Sequence, residues 1–392
     1  MKNVGFAYRV LDDELNEKLT WESRQFRNTV QSWVNKRFMP LVTECYLDGR
    51  FPMELVPEMT ELGLFGIKAD PIYGGHGLNN YDYGLICREL EAGDSGLRSF
   101  VSVQNSLVIY PIERFGSEDQ KKRWLPLLTS GKAIGAFGLT GPEGGSDPEN
   151  MKTHARKDGN DFMLNGSKQF ITNGSIADVV IVWAKLDGIV RGFLVEKGTS
   201  GLESREMKKK LSLCASNTSE LFLSGVRVPA DSLLPGTMER ERTYLSCLNE
   251  ARYGIAWGAV GVAIFCAEAA LEYVRNRVLF GESLTKKQLI QEKLVFMDVN
   301  IESALRRMID MARLKESGKI RSRDISCGKM VNVDMACEVS RLARRMIAGN
   351  GIMAEYHVMR HMMNLESVYT YEGTNEIHML ALGRDITGEN AF

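Results

Sequence analysis

Glu372 is the side chain in this sequence best placed to act as a general base. It stands between an aromatic ring, Tyr371, and a backbone-permissive Gly373 in LESVYTYEGTNEIH (365–378). One reading makes it a solvated acid at the mouth of a final helix beginning near Thr374, where acids are favoured. The other makes it a base beside an apolar pocket, its pKa raised by desolvation. A second centre lies in SGLRSFVSVQNSLVIYPI, where Arg98 and Ser102 stand four apart and so share one helix face among apolar neighbours. A buried arginine needs a partner. That partner is either an internal acid, Glu91 or Asp94, or a carboxylate supplied by a ligand and gripped bidentately.

Two further stretches suit a planar or phosphorylated ligand. FGLTGPEGGSD (137–147) ends a strand in a glycine-rich loop, whose amides and Ser146 hydroxyl could cradle phosphate or a polar ring edge. It lacks the GK[ST] of a Walker loop, and no GxGxxG follows a strand. QFITN (169–173) sets an aromatic beside a hydroxyl, as any strand entering a turn also can. The pair His357 and His361 imitates a zinc signature without its acid or a third ligand. It reads as helix-surface or interface histidines, with no metal.

The elements that must position these groups run α, then β, then α. Helical spacing of Phe26, Val30, Trp33, Val34 and Phe38, closed by Pro40, opens an N-terminal helical domain over 1–132. Turn signals Asp158-Gly159, Asn165-Gly166 and Asp187-Gly188 then separate alternating strands. They predict an antiparallel β-barrel or sandwich over 133–238. Long helical segments return over 239–392 and predict a C-terminal four-helix bundle. The fold is thus mainly α with a central β domain. Near-equal numbers of basic and acidic residues, 49 and 50, give no electrostatic case for nucleic acid. No apolar run of about 18 residues is evident, so no membrane insertion is expected. The start, MKNVGFAYRVLDDELNE, lacks the apolar core of a signal peptide, and seven scattered cysteines read as reduced thiols of a cytoplasmic protein.

Taken together, GLT-GP-GGSDP, FITN, RVLFG (277–281), AGNG and YEGT, in this order, resemble the acyl-CoA dehydrogenase family, and more narrowly its glutaryl-CoA dehydrogenase branch. The resemblance covers nearly the whole chain and implies an FAD enzyme, usually a homotetramer, acting on an acyl-CoA. Phe137, Leu139, Thr140, Gly145 and Ser146 would line the flavin, with Phe170, Ile171 and Thr172 against its other side. Arg277, Phe280 and Gln288 would come from a neighbouring subunit, together with Arg345 and Gly349, and Thr374 and Glu376 would complete the site. Asn249 and Arg252 would hold the coenzyme A portion, to which Ser146 also belongs. Glu372 would take the α-proton while the β-hydrogen passes to the flavin as hydride. Electrons would then leave to an electron-transferring flavoprotein.

The narrower branch rests on ELEAGDSGLRSFVSVQNS (89–106). There Arg98 and Ser102 would bind a distal carboxylate, with Glu91 and Tyr371 close by, and the dehydrogenated product can lose CO2. The sequence departs from the family at Gly141, Phe170 and Cys214, where glutamate, tryptophan and arginine are usual. Glutaryl-CoA is the expected substrate. A substituted succinyl-CoA such as benzylsuccinyl-CoA would also use Arg98, without decarboxylation.

Overall fold

The protein is described by a computed structural model over residues 5–391. Residues 1–4, part of the stretch read above for a signal segment, lie outside it. Eight helices form the N-terminal layer: α1 (Tyr8–Lys18), α2 (Trp21–Trp33), α3 (Met39–Asp48), α4 (Val56–Glu61), α5 (Asn80–Gly93), α6 (Ser95–Ser102), α7 (Tyr110–Phe115) and α8 (Glu118–Thr129). Pro40 does not close its helix as expected. A π-helical turn, Val34–Phe38, runs directly into it, and a second, Val103–Ile109, runs into Pro111. Proline lacks an N–H and its ring clashes with the carbonyl four residues back. The wider turn lets each helix pass its proline. Ser117 caps α8 in a full capping box with Gln120.

The middle layer is a curled sheet of β1 (Gly135–Gly138), β2 (His154–Asp158), β3 (Asp161–Thr172), β4 (Val179–Leu186), β5 (Ile189–Glu196), β6 (Leu202–Glu206) and β7 (Thr218–Pro229). Hairpin neighbours pair antiparallel, as Asp158-Gly159 and Asp187-Gly188 required; Asn165-Gly166 makes no turn but lies inside β3, at a register shift in its pairing with β7. β4, however, lies parallel to β1 and β2, so the sheet is mixed rather than antiparallel throughout. Parallel pairing needs a crossover of a dozen or more residues. The β2–β3 hairpin and its flanking loops supply one between β1 and β4.

After the short α9 (Gly236–Glu239), the C-terminal layer comprises α10 (Tyr244–Asn276), a ribbon of β8 (Val278–Leu279) and β9 (Glu282–Ser283), α11 (Gln288–Glu316), α12 (Ser322–Ile347), α13 (Val358–Thr370) and α14 (Asn375–Thr387). Contrary to the sequence reading, α10 is long and apolar enough to cross a membrane, but 78% of its most apolar window is buried inside the protein. It is the core helix of the bundle. Its glycines let α5 approach: a Cβ on Gly261 would stand 2.1 Å from the Arg88 carbonyl oxygen, and one on Gly254 3.0 Å from Cys87 Sγ. α12 ends with Ala348, not a glycine, at positive φ (59°). All seven cysteines are free, and all but Cys327 are buried.

Candidate active site

Glu372 lies in the three-residue turn between α13 and the Thr374 N-cap of α14, whose hydroxyl accepts from the Ile377 amide at 3.2 Å. The turn is strained: Glu372 and Gly373 both have positive φ, 53° and 97°. A non-glycine residue persists there only when its surroundings hold it. Arg252 of α10 does so by donating Nε to the Glu372 carbonyl at 2.6 Å. Lys329 of α12 donates Nζ to the carbonyls of Tyr369 at 3.0 Å and Gly373 at 2.9 Å. The Glu372 residue is half-buried, but its Oε2 is enclosed and has no hydrogen-bond partner among the described residues. Burial pushes its pKa up to about 7, against the opposing fields of Arg98, Arg252 and Lys329 and with the help of Glu91. This is a carboxyl group held in a dry setting with its pKa raised, not a solvated helix-start acid.

Arg98 is 1% exposed and reaches Glu91 with Nε (2.8 Å) and Nη2 (3.3 Å); Nη2 also donates to the Tyr371 hydroxyl. The internal ion pair left open by the sequence therefore exists, and its acid is Glu91. Asp94 instead caps α6 through the Gly96 amide at 2.6 Å and pairs with Arg360. The pair also reaches the turn that carries Glu372, because the guanidinium donates to the hydroxyl of Tyr371, the residue before it. Arg98 Nη1 has no hydrogen bond to the described residues. Gly258 makes the arrangement possible: a Cβ there would stand 1.7 Å from Glu91 Oε2. Ser102 is not part of this cluster. Its hydroxyl faces Tyr83 (3.4 Å), which meets Ser106 at 2.7 Å. Ser99 was missed by sequence reasoning. It adjoins Arg98, is 4% exposed, and its buried Oγ has no hydrogen-bond partner among the described residues. A buried hydroxyl beside a buried cation was the available signal.

On the other flank, Phe137, Leu139 and Ile171 are buried, and Thr140 and Thr172 half-buried. Lys168, buried and lowered to about 7 by desolvation, ties the loop down through the Leu139 carbonyl at 2.8 Å. Phe170 turns outward, 61% exposed at φ 58°. Gly145 and Ser146 are exposed, with open space beside Gly145. Asn173 is fully buried, yet neither its amide nitrogen nor its oxygen has a partner among the described residues. The exposed Phe170 ring and the unsatisfied Asn173 amide three residues on fit a flat ring with a polar edge.

Other expected residues stand apart. Asn249 bonds Ser322 at 2.9 Å and accepts from Arg252 at 3.3 Å. Glu376 is exposed and accepts from the Tyr369 hydroxyl at 3.3 Å. Arg277, Phe280, Gln288, Arg345 and Gly349 all lie on the exposed surface, Phe280 at 95%. His357 and His361 are not surface histidines. His361 is fully buried against the Phe265 ring at 4.8 Å, and His357 precedes α13 rather than lying in it. No group of His, Cys, Asp or Glu among the described residues could hold a metal.

Three family models match in chain order: acyl-CoA dehydrogenase N-terminal domain over residues 20–132, middle domain over 136–226 and C-terminal domain over 242–387. A short-chain specific acyl-CoA dehydrogenase of Megasphaera elsdenii is 36% identical, covering 93% of this chain and 98% of the relative. A glutaryl-CoA dehydrogenase of Mycobacterium smegmatis, solved in complex with FADH2, superposes with a TM-score of 0.94 at 46% identity, covering 98% of each chain. A chain solved in work on the electron transferring flavoprotein of Acidaminococcus fermentans superposes with a TM-score of 0.90 at 32% identity, covering 95% of this chain and 99% of that one.

Proposed function

The chain belongs to the acyl-CoA dehydrogenase family, and we propose that its substrate is a dicarboxylic acyl-CoA thioester, glutaryl-CoA first. The single observation that carries the diacid is the buried Arg98 tied to Tyr371, the residue beside the base. A monocarboxylic acyl chain gives a buried guanidinium nothing to bind. The two comparisons differ on this point, short-chain specific against glutaryl. The glutaryl relative is favoured because its identity is higher and because the Glu91–Arg98 pair needs a use.

Glu372 takes the α-proton of the thioester onto its carboxylate. The Glu372 amide, which no backbone carbonyl among the described residues accepts, is free to donate to the thioester carbonyl and stabilise the developing enolate. Phe137, Leu139, Thr140, Gly145, Phe170, Ile171 and Thr172 form the wall for FAD, with Asn173 adding polar groups that fit its ring edge. FAD, when bound there, supplies the acceptor for the β-hydrogen. Arg98 orients the distal carboxylate, with Ser99 rather than Ser102 as the neighbouring hydroxyl. The exposed Arg277, Phe280, Gln288, Arg345 and Gly349 fit the subunit interface of a homotetramer. An electron-transferring flavoprotein is the expected electron acceptor, and the free cysteines fit a cytoplasmic setting.

The test is an anaerobic screen of acyl-CoA thioesters, following loss of the flavin absorbance and identifying products by mass. Glutaryl-CoA is expected to bleach the flavin fastest. Equal bleaching by butyryl-CoA would remove the diacid assignment. A substituted succinyl-CoA as best substrate would retain Arg98 as anchor and replace the five-carbon chain.

A further inference from the structure

Lys329 is a lysine of α12 with no exposed surface and no carboxylate in hydrogen-bond contact. A buried ammonium is costly, and a residue serving only to fill space there would be apolar. Its ammonium donates instead to two carbonyls, one at the C-terminal end of α13 and one in the turn that follows. The Tyr369 carbonyl belongs to the last turn of α13, where carbonyls lack helical partners and the helix end carries partial negative charge. The Gly373 carbonyl lies on the far side of the base. One ammonium therefore spans the strained segment that carries Glu372, and Arg252 holds the carbonyl between.

We propose that Lys329 is a positioning residue for the base, clamping the turn on both sides of Glu372 and supplying a cation that keeps its carboxylate ionised at neutral pH. The inference rests on Glu372 being the base. The groups facing Glu372 are Glu91 of α5, Arg98 of α6, Arg252 of α10, Lys329 itself and the preceding Tyr371; His378 of α14 lies against Gly373. Those acting on Lys329 are Glu372, Arg252, Cys337 and Asp334. His378 is driven down to about 3, chiefly by burial, and stays neutral. Arg98 is already shared with Glu91 and Tyr371. Lys329 thus adds a cation that no other acid neutralises by direct contact. Burial lowers the lysine itself to about 7, while Glu372 opposes that shift. The two groups titrate over the same range and support one another's charged forms.

The experiment compares Lys329→Met, Lys329→Gln and Glu372→Gln holoenzymes by the pH profile of kcat/KM, flavin content and thermal melting. Glu372→Gln must be inert at every pH; if it turns over, the base reading fails and Lys329 is not at issue. Given that, Lys329→Met is expected to keep FAD and move the acid limb upward by about one pH unit, the shift a neighbouring charge typically causes. Lys329→Gln, which keeps donors but not charge, is expected to show the same limb shift with a smaller loss of kcat. An acid limb and kcat unchanged in folded Lys329→Met would overturn the proposal. If Lys329→Met does not fold, it is repeated in the Glu372→Gln background. Recovery of folding there supports the charge coupling, and equal failure in both backgrounds makes the lysine a folding residue and overturns the role.

Discussion

Replacing Arg98 with methionine is the sharpest probe of substrate class, provided its indirect effects are separated from the loss of an anchor. Glu91 is fully buried and accepts two hydrogen bonds from Arg98. Removing the guanidinium leaves that carboxylate uncompensated, which for a buried pair costs about 3–5 kcal/mol of stability. It also removes the largest opposing influence on the raised pKa of Glu372. Both effects fall on every substrate alike. The ratio of kcat/KM for glutaryl-CoA to that for butyryl-CoA therefore isolates what Arg98 does for the second carboxylate. A charge-assisted hydrogen bond to a buried carboxylate is worth about 1.5–3 kcal/mol. At about 1.4 kcal/mol per tenfold, the ratio is expected to fall by roughly 10- to 150-fold. Stopped-flow loss of flavin absorbance with each thioester at saturating FAD gives both terms. Arg98→Met,Glu91→Gln, which also removes the orphaned acid, should recover stability but not the ratio. A ratio within threefold of wild type in both variants would falsify the anchor.

Glu372→Gln is expected to retain FAD and bind acyl-CoA while turnover falls by at least about 1,000-fold, as loss of an essential base implies. Because the folded carboxyl is raised to about 7 from an ordinary 4.5, the unfolded chain holds fewer protons between those values, so this group stabilises the fold at low pH and loses that contribution as pH rises to about 7. Calorimetry at pH 8 should accordingly find the variant melting above wild type, with the gap closing towards pH 4.5; a constant gap would contradict the raised pKa. Gly258→Ala, whose Cβ would lie 1.7 Å from Glu91 Oε2, must displace that carboxylate from Arg98; melting should drop and the glutaryl preference change, whereas a neutral phenotype would show that Glu91 is free to move. Headspace analysis after glutaryl-CoA turnover is expected to find CO2, and its absence would favour a substrate whose carboxylate sits on another carbon.

The domain order, two of the three turn signals of the sheet and the start of α14 at Thr374 were legible from periodicity and turn chemistry; Asn165-Gly166 was not a turn but a register shift inside β3. Legible too was the turn that holds Glu372, because Tyr371-Glu372-Gly373 offers a carboxylate, a ring and a permissive backbone together. What escaped was whatever depends on distant elements meeting. Glu91 could not be assigned to Arg98 across the break at Asp94, since local spacing says nothing about the angle between α5 and α6. The Gly258 gap that admits Glu91 belongs to α10, more than 150 residues away in sequence. Ser102 shares a helix face with Arg98 at a four-residue interval, yet its hydroxyl faces Tyr83. The π-turn beginning at Val103 and the Tyr83 contact belong to tertiary packing. The prolines misled for a related reason: Pro40 ends a helix only where the chain cannot widen its turn, and here it does.

The charges around the base bear on the substrate in a way that no single contact does. Arg98, Arg252 and Lys329 are the main cations acting on Glu372, and Glu91 is the main acid opposing them. Around the base itself three cations face Glu372 and Glu91, while Asp334 acts on Lys329 from outside hydrogen-bond contact. A monocarboxylic thioester brings no charge at its acyl end and leaves a buried cation uncompensated, which low-dielectric surroundings penalise. A thioester with one distal carboxylate closes the balance, with Glu372 still ionised and able to take a proton. The same balance predicts the linkage. Binding a diacid should raise the pKa of Lys329 and draw a proton from solvent near pH 7, while binding a straight-chain monoacid should not. Glu372→Gln, which binds without turnover, allows the comparison by calorimetry in buffers of different ionisation enthalpy, with butyryl-CoA as the control for protons exchanged by the coenzyme A portion. A net uptake for glutaryl-CoA beyond that control is expected. Equal uptake for both would mean that the second carboxylate is bound away from these three cations.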